Sequence, residues 1–247
     1  MEIEIITDII QGDETWDKLR SVTPTASEFS KIITGGGKVS TQREGYMRRL
    51  SVNRKYPQPT FKGNQYTDRG HELEPIARER LATETGYDIR QVGFVRRKDC
   101  GAGGSPDGLI YSPCGSNPVA GVEIKCYNVD KHLTILGTGE LPTENRPQVH
   151  GHLWLSGLPA WLFVLYCPEA FPLDFRIIEV TPDGYTREVG NAVYQFCVDY
   201  QKNWARYLAE YELDQIGKSF EQMCPVTHRL AAPQAVQPTP ALTESLI

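Results

Sequence analysis

The chain has 247 residues, six cysteines and a formal net charge of −5 at pH 7, so it can bury a core without disulfide or metal staples. Its acidic, apolar N-terminus lacks the basic flank of a signal peptide, and no apolar run reaches the roughly 18 residues of a membrane span. The cysteines show no C-x-x-C spacing, which indicates reduced thiols. We therefore expect a cytoplasmic protein that does not bind membranes.

The first third of the chain is predicted to be helical. Thr25 and Glu28 have the spacing of a capping box, and the glycine run 35–37 would end the helix that they begin. Further helices are predicted over about 41–54 and 68–85.

Apolar and alternating segments then predict a set of strands. We expect strands over 89–97, 109–111, 119–127, 160–167 and 175–180, with helices near 129–136, 143–156 and 186–214. This order favours an α/β fold in which helices flank a mixed central sheet, as one domain over 1–222. The tail 223–247 is rich in Pro, Ala, Gln and Thr and is expected to be mobile.

One stretch of the acidic chain is basic. Between Lys38 and Arg69 there are eight lysines and arginines, opposed only by Glu44 and Asp68. Such a run is typical of a solvated helix face and loop, and it also suits a local track for nucleic-acid phosphates. Charge alone leaves both interpretations open.

Three residues have the spacing of a metal-dependent hydrolase. Asp107 lies in a Gly-rich turn, and Glu123 and Lys125 project from one face of the strand that follows. The hairpin between them can bring Asp107 beside Glu123, where both carboxylates and the main-chain carbonyl of Ile124 would hold Mg²⁺. Lys125 would then orient or deprotonate the attacking water, with a pKa lowered by the nearby cation.

Each half of this pattern also has an ordinary structural interpretation. Ser-Pro-Asp-Gly is a good turn sequence by itself, and Glu-x-Lys is common on a solvated strand face. Their combination on one hairpin favours a metal-dependent nuclease, and hard oxygen ligands make a histidine site unnecessary. His150 and His152 are therefore predicted to be structural.

The motifs resemble a known nuclease family. The segments GGSPDGLI (103–110) and GVEIKC (121–126) resemble the PD-(D/E)XK core, in particular that of the viral recombinase nucleases typified by phage lambda exonuclease. Three more family motifs occur in the same order, so the resemblance spans residues 16 to about 156. They contain Trp16, Arg20, Thr25 and Ser27, then Gly70, Glu74 and Ala77, then Gln148, Val149 and Trp154.

The resemblance implies a restriction-endonuclease-like fold and a set of site residues. Asp107 and Glu123 would bind metal, Lys125 would act on water, Glu74 would add a carboxylate, and Gln148 would lie beside the lysine. Arg20 and Ser27, with Thr25 beside them, would capture the 5′-phosphate. From the basic stretch, by charge alone, the expected DNA contacts are Arg48, Arg49, Arg54, Lys55, Lys62 and Arg69.

Three of these residues have simpler structural alternatives. Glu74 could pair with Arg78 or Arg80 one helical turn away on a wet surface. Gln148 could be an ordinary surface amide. Arg20 could form a salt bridge with Glu28 or Asp17.

The activity implied by the resemblance is a Mg²⁺-dependent exodeoxyribonuclease, in which Mn²⁺ can substitute and one or two ions act. It would digest linear duplex DNA 5′ to 3′ to mononucleotides and leave a 3′ overhang. A homotrimeric ring and a single-strand annealing partner, in a bacterial cytoplasm and of phage or prophage origin, are also implied. The alternatives are an endonuclease of the same fold and a non-catalytic scaffold that binds DNA ends.

Overall fold

The computed structural model describes residues 2–57, 65–113 and 115–223. These residues fall into two compact units, one up to Leu208 and one from Ala209 onward. Beyond Met223 the predicted tail lies outside the described residues, so its mobility and the domain boundary near 222 stay predictions. None of the described helices is long and apolar enough to cross a lipid bilayer.

The described residues form strands, α-helices and two 3₁₀ helices. The strands are β1 (Ile3–Ile6), β2 (Asp88–Arg90), β3 (Phe94–Arg97), β4 (Gly103–Gly104), β5 (Gly108–Tyr111), β6 (Pro118–Lys125), β7 (Trp161–Tyr166) and β8 (Phe175–Val180). The α-helices are α1 (Glu14–Val22), α2 (Arg43–Asn53), α3 (Gln65–Thr85), α4 (Val129–Thr138), α5 (Arg146–Ser156) and α6 (Gly184–Met223). The 3₁₀ helices span Ala26–Lys31 and Pro168–Ala170.

The main sheet is five-stranded and mixed, as the sequence predicts. Its order is β2-β5-β6-β7-β8, and only β6 and β7 run parallel. A parallel pair needs a long crossover, and the two helices α4 and α5 form it. All six residues of β7 are buried, which explains why this strand reads as a continuous apolar run.

Helices cover both faces of this sheet. On one face α3 packs Ala77 and Leu81 against the β6 residue Val122. On the other face the α5 residue Val149 packs against Trp161 of β7. The alternation predicted for β6 is therefore confirmed: its apolar side chains face α3, and its charged ones face away.

The prediction of one continuous strand over 89–97 is wrong. The segment forms two strands, because β2 joins the five-stranded sheet while β3 joins a second sheet of order β1-β3-β4. Gly93 lies at the break, and a Cβ there would overlap the main chain of Ile9. The chain changes sheets where only glycine allows this close approach.

The capping-box prediction is also wrong in its details. Thr25 precedes a six-residue 3₁₀ helix and its side chain makes no capping hydrogen bond. The two groups that would complete the box bond elsewhere: the Thr25 N–H donates to the Tyr46 hydroxyl at 3.1 Å, and Glu28 pairs with Lys31 and Arg49. Tyr46 and Arg49, which are distant in the sequence, thus replace the local hydrogen bonds of a capping box.

The sequence patterns missed β1 and α1. Strand β1 has four residues and pairs with β3. Helix α1 is only nine residues long and buries none of them completely, so it is shorter than the window of about 11 residues that a periodicity argument needs. Its start is nevertheless well defined, because Asp13 accepts a hydrogen bond from the Trp16 N–H at 2.7 Å.

Close packing of α5 on the 3₁₀ helix gives a stability prediction. A Cβ added at Gly151 would overlap the fully buried ring of Phe29. We expect Gly151→Ala to lower the free energy of unfolding by about 1–3 kcal/mol, as measured by chemical denaturation.

Gly137 offers the matched control, since it lies in α4 with open space around the added Cβ. Gly137→Ala should be neutral or stabilise by up to about 1 kcal/mol. Equal stability of the two variants would show that the Phe29 contact is not close-packed.

Candidate active site

Two hydrogen bonds hold the Asp107 turn against β6. The Asp107 N–H donates to the carbonyl of Val122 at 3.1 Å, and the Ile124 N–H donates to Asp107 Oδ2 at 2.6 Å. These two bonds fix the carboxylate of Asp107 beside the strand that carries Glu123. The hairpin therefore joins the two acids as the sequence predicts.

Glu123 is almost completely enclosed, with a relative exposure of 1%. Its Oε1 accepts hydrogen bonds from Lys125 Nζ at 2.6 Å and from Gln148 Nε2 at 2.5 Å. Its Oε2 is buried and accepts no hydrogen bond in the described structure. The ring atom Nε2 of His152 lies 3.6 Å from Oε2, too long for a hydrogen bond.

These acids hold their protons unusually strongly. Burial, reinforced by the charge of Glu123, raises the pKa of Asp107 to about 7. Burial also raises the pKa of Glu123, although Lys125 and Arg20 oppose the rise. Two buried carboxylates this close repel each other, so the site is poised to accept a positive charge.

Lys125 is a stable cation in this arrangement. Burial by itself would lower the pKa of Lys125, but the carboxylates of Glu123 and Asp107 raise it above its usual range. The sequence-based expectation of a lowered pKa is therefore not met by these residues alone. The ammonium group can orient a water molecule and stabilise negative charge.

Glu74 occupies the site and also makes its structural ion pair. Its carboxylate pairs with Arg78 four residues later, and both side chains are largely buried. Burial and the charge of Asp107 raise the pKa of Glu74 to about 7. The i,i+4 pair expected as an alternative to a functional role thus exists at the edge of the acidic site.

A cleft of about 450 Å³ opens onto these groups. Its lining is mixed acidic, basic and aromatic, which suits a charged substrate with a flat, apolar part. The residues around it are Gly70, His71, Glu74, Asp107, Ile124, Lys125, Cys126, Tyr127, Asn128 and Lys131.

The residues fit a hard divalent cation, although no group of three or more His, Cys, Asp or Glu side chains among the described residues is arranged to hold a metal by itself. Mg²⁺ in proteins keeps several waters and commonly takes only one or two carboxylates. Asp107 and Glu123 supply two carboxylates, and the unbonded Oε2 of Glu123 is a buried oxygen that lacks a partner.

A second polar group lies beside the acids. Arg20 donates to the Ser27 hydroxyl at 2.8 Å and stacks on the Trp16 ring at 4.1 Å. The Trp16 indole N–H in turn donates to the hydroxyl of Ser105 at 2.7 Å, and Thr25 Oγ1 lies 3.4 Å from Ser27 Oγ. Arg20 and the hydroxyls of Thr25 and Ser27 are donors that could hold an anion, and the charge of Arg20 acts on Glu123; we call this group the anion pocket.

The basic stretch divides into two kinds of residue. Arg54 stacks on Tyr200 and Trp204, and Arg69 donates to the carbonyls of Cys126 and Tyr127 and pairs with Glu169. Both are therefore structural anchors, whatever else they contact. The other predicted DNA contacts are Arg48 and Arg49, half-exposed on α2, Lys55 at its end, and Lys62 outside the described residues.

Two neighbours of the acids, Arg78 and His152, were considered from the sequence only in structural roles. Arg78 links Asp107 to Glu74. Its Nε donates a hydrogen bond to the main-chain carbonyl of Asp107 at 2.7 Å, and the other end of its guanidinium pairs with the Glu74 carboxylate. His152 stacks on Trp161 at 4.7 Å and is held neutral, because burial lowers its pKa to about 3. The i,i+4 spacing from Gln148 could have placed His152 on the same face of α5.

The raised pKa values predict an unusual stability profile. An acid whose pKa is higher in the folded protein than in the unfolded chain stabilises the fold below about pH 4. This contribution is lost as the pH rises through about 7, the folded pKa of Asp107 and Glu74. Without metal, the site should therefore destabilise the fold at pH 8.

Asp107→Asn removes one of these charges and keeps an oxygen that can accept the Ile124 N–H. In EDTA at pH 8 we expect its melting temperature to exceed that of the parent protein by about 2–4 °C, or roughly 1 kcal/mol. The gain should shrink at pH 5. The control is Asp88→Asn, at an exposed ion pair with Arg90; a loss of stability in Asp107→Asn at pH 8 would contradict the electrostatic account.

Comparison with known proteins places this site in a family. The model of the YqaJ-like viral recombinase domain matches residues 15–159, which include Arg20, Glu74, Asp107, Glu123 and Gln148. The comparison with curated proteins gave no match.

Solved structures agree with the family match. An alkaline exonuclease from Laribacter hongkongensis is 27% identical, with a TM-score of 0.68 over 83% of this chain and 99% of that one. Its complex with dAMP is similar at 26% identity and a TM-score of 0.68. A phage-related exonuclease from Haemophilus somnus, 16% identical over 79% of this chain and 99% of that one, shares the fold with a TM-score of 0.56.

The structural neighbours are exonucleases of the PD-(D/E)XK type, as the predicted fold class requires. The family model covers more than half of the chain. Similarity to these solved exonucleases supports a nuclease function, and the family model shows that this chain belongs to the YqaJ-like viral recombinase family.

Proposed function

We propose that this nuclease is a Mg²⁺-dependent exodeoxyribonuclease that digests one strand of linear duplex DNA from its 5′ end and releases mononucleotides. The observation that carries this proposal is the pairing of two sites: the buried Asp107–Glu123 acids and, beside them, the Arg20–Ser27 anion pocket. An anion pocket beside the hydrolytic centre suits a terminal phosphate held while the next phosphodiester is cut.

The protein groups have separate roles in the proposed reaction. Asp107, Glu123 and the Ile124 carbonyl would hold Mg²⁺, with Glu74 as a further carboxylate. Bound Mg²⁺ supplies Lewis acidity and promotes water ionisation near neutral pH. Lys125 remains protonated between the two acids, so it orients water and stabilises charge on the phosphate.

Gln148 and Arg78 keep the acids in position for this chemistry. Gln148 donates to the same Glu123 oxygen as Lys125, which leaves Oε2 of Glu123 open to another partner. Arg78 ties the Asp107 main chain to Glu74 on α3. Both contacts fix carboxylate geometry, which positional catalysis requires to within a fraction of an ångström.

The structural neighbour with dAMP supports a mononucleotide product. That protein is an alkaline exonuclease in complex with a deoxynucleoside monophosphate. The cleft of about 450 Å³ beside Asp107 and Lys125 has room for such a molecule. A homotrimeric ring on DNA and a single-strand annealing partner in recombination complete the proposal and rest on the family resemblance.

The direction and chemistry can be tested on a linear duplex labelled at one 5′ end. With Mg²⁺, labelled mononucleotide should appear early, and EDTA should stop its release. Long labelled fragments would instead indicate an endonuclease or attack from the 3′ end, and rapid cutting of closed circular duplex would indicate an endonuclease. A protein that binds ends but cuts nothing would be a scaffold.

Lys125→Ala should lower the turnover number by about 10²–10⁴-fold, because the water and the reacting phosphate lose their cationic partner. Duplex affinity in the presence of Ca²⁺ should change much less. Lys98→Ala, at an exposed ion pair with Glu2, is the matched control. Normal turnover of Lys125→Ala would remove the lysine from the mechanism.

Arg20→Ala should reduce the preference for a 5′-phosphorylated over a 5′-hydroxyl end by about 10- to 100-fold, the worth of a charge-assisted hydrogen bond or two. The measurement is initial digestion rate on the two duplexes. Arg90→Ala, at an exposed ion pair with Asp88, should keep the full preference. An unchanged preference in Arg20→Ala would place the end phosphate elsewhere.

A further inference from the structure

Two cysteines from distant parts of the chain meet away from the nuclease site. Cys100 lies in the loop between β3 and β4 and is partly exposed, whereas Cys197 lies in α6 and is 2% exposed. Cys100 packs against the apolar cluster that contains Cys197. Both cysteines also line the same cleft, where their side chains lie close enough to interact with each other.

This cysteine pair is open to small molecules. A cleft of about 480 Å³ is lined by both cysteines and by Lys98, Gln201 and Lys202. Asp99 shares this lining with the two lysines, and these polar side chains allow water to enter. A small polar oxidant can therefore reach Cys100, with Cys197 directly behind it.

The two sulfur atoms differ in acidity. The interaction with Cys197 lowers the pKa of Cys100 despite its partial burial. The same contact and burial raise the pKa of Cys197. Burial instead raises the pKa of Cys126 and of Cys167. Among the free cysteines of the described chain, Cys100 has the most thiolate character, and the thiolate is the reactive form.

We propose that Cys100 and Cys197 are a redox modification site that is oxidised by hydroperoxides to an intramolecular disulfide. The Cys100 thiolate attacks the terminal peroxide oxygen and becomes a sulfenic acid, while the O–O bond breaks and hydroxide or an alkoxide leaves and takes up a proton from solvent. Cys197 then attacks that sulfur, its proton goes to the departing hydroxide, and a second product water forms. One peroxide is reduced as two thiols are oxidised.

The pair has the arrangement of a reversible thiol sensor. Such sensors combine an accessible, acidic thiol with a resolving thiol in contact with it. In a reducing cytoplasm the pair would rest as thiols and return to thiols after oxidation. The disulfide would fasten the β3–β4 loop to α6 just before Gly103, whose N–H donates to the Pro24 carbonyl beside the anion pocket.

The test uses the full-length reduced protein with about one equivalent of H₂O₂, followed by alkylation and peptide mapping by mass spectrometry. The expected result is a mass loss of about 2 Da and a linked peptide containing Cys100 and Cys197, formed before any other pair and removed by dithiothreitol. The melting temperature should rise on oxidation, because the bond closes a long loop.

Two variants separate the roles of the sulfur atoms. Cys100→Ser should lose the early reaction with peroxide. Cys197→Ala should still react at Cys100 but stop at the sulfenic acid, which dimedone traps. Cys167→Ser, which leaves the pair intact, should form the linked peptide at the parental rate.

Other outcomes would overturn the proposal. These are a first disulfide between any other cysteines, or stable oxidation of Cys100 in the parent protein while Cys197 stays alkylatable. Peroxide reaction at Cys100 no faster than at Cys126 or Cys167 would also overturn it. None of these readouts depends on nuclease activity, so the result stands apart from the proposed function.

Discussion

The active site depends on one short hydrogen bond, from the Ile124 N–H to Asp107 Oδ2 at 2.6 Å. It holds one buried carboxylate against the strand that carries another, Glu123, where each raises the other's cost of ionisation. The register of β5 on β6, with Gly108 opposite Val122, makes this contact possible. A shift of one residue would turn Glu123 into the opposite, apolar face.

The rest of the fold supplies the groups that make this acid pair tolerable. Lys125 comes from the same strand, Gln148 from α5 on one face of the sheet, and Arg78 from α3 on the other. Arg20 adds a positive charge from α1. A buried ion survives only when it is paired or hydrogen-bonded, so four separate elements are committed to one site. One oxygen, Glu123 Oε2, still lacks a partner, which is the feature expected of a metal ligand.

Sequence reasoning succeeded where function depends on local periodicity. The two-residue alternation of β6 and the Asp107 turn were both readable, because strand geometry fixes which side chains share a face. It failed where partners come from far along the chain. Tyr46 takes the Thr25 N–H that a capping box would use, and Ile9 lies against the glycine at which the chain changes sheets. Arg78 was invisible as a site residue, since nothing local indicates that its guanidinium reaches the Asp107 carbonyl.

The basic stretch 38–69 shows the same limit of sequence-based prediction, here for DNA binding. A run of like charges suggests a phosphate track, but Arg69 anchors the end of β6 through two carbonyls and Arg54 lies on two aromatic rings. Their positive charge still contributes to the local field, while their geometry serves the fold. The sequence shows how many charges the stretch carries, but it does not show which of them stabilise the fold and which are available to DNA. Under the proposed function, an acidic protein can act on a polyanion with few dedicated contacts, provided that a group such as Arg20 and Ser27 holds the end of the strand.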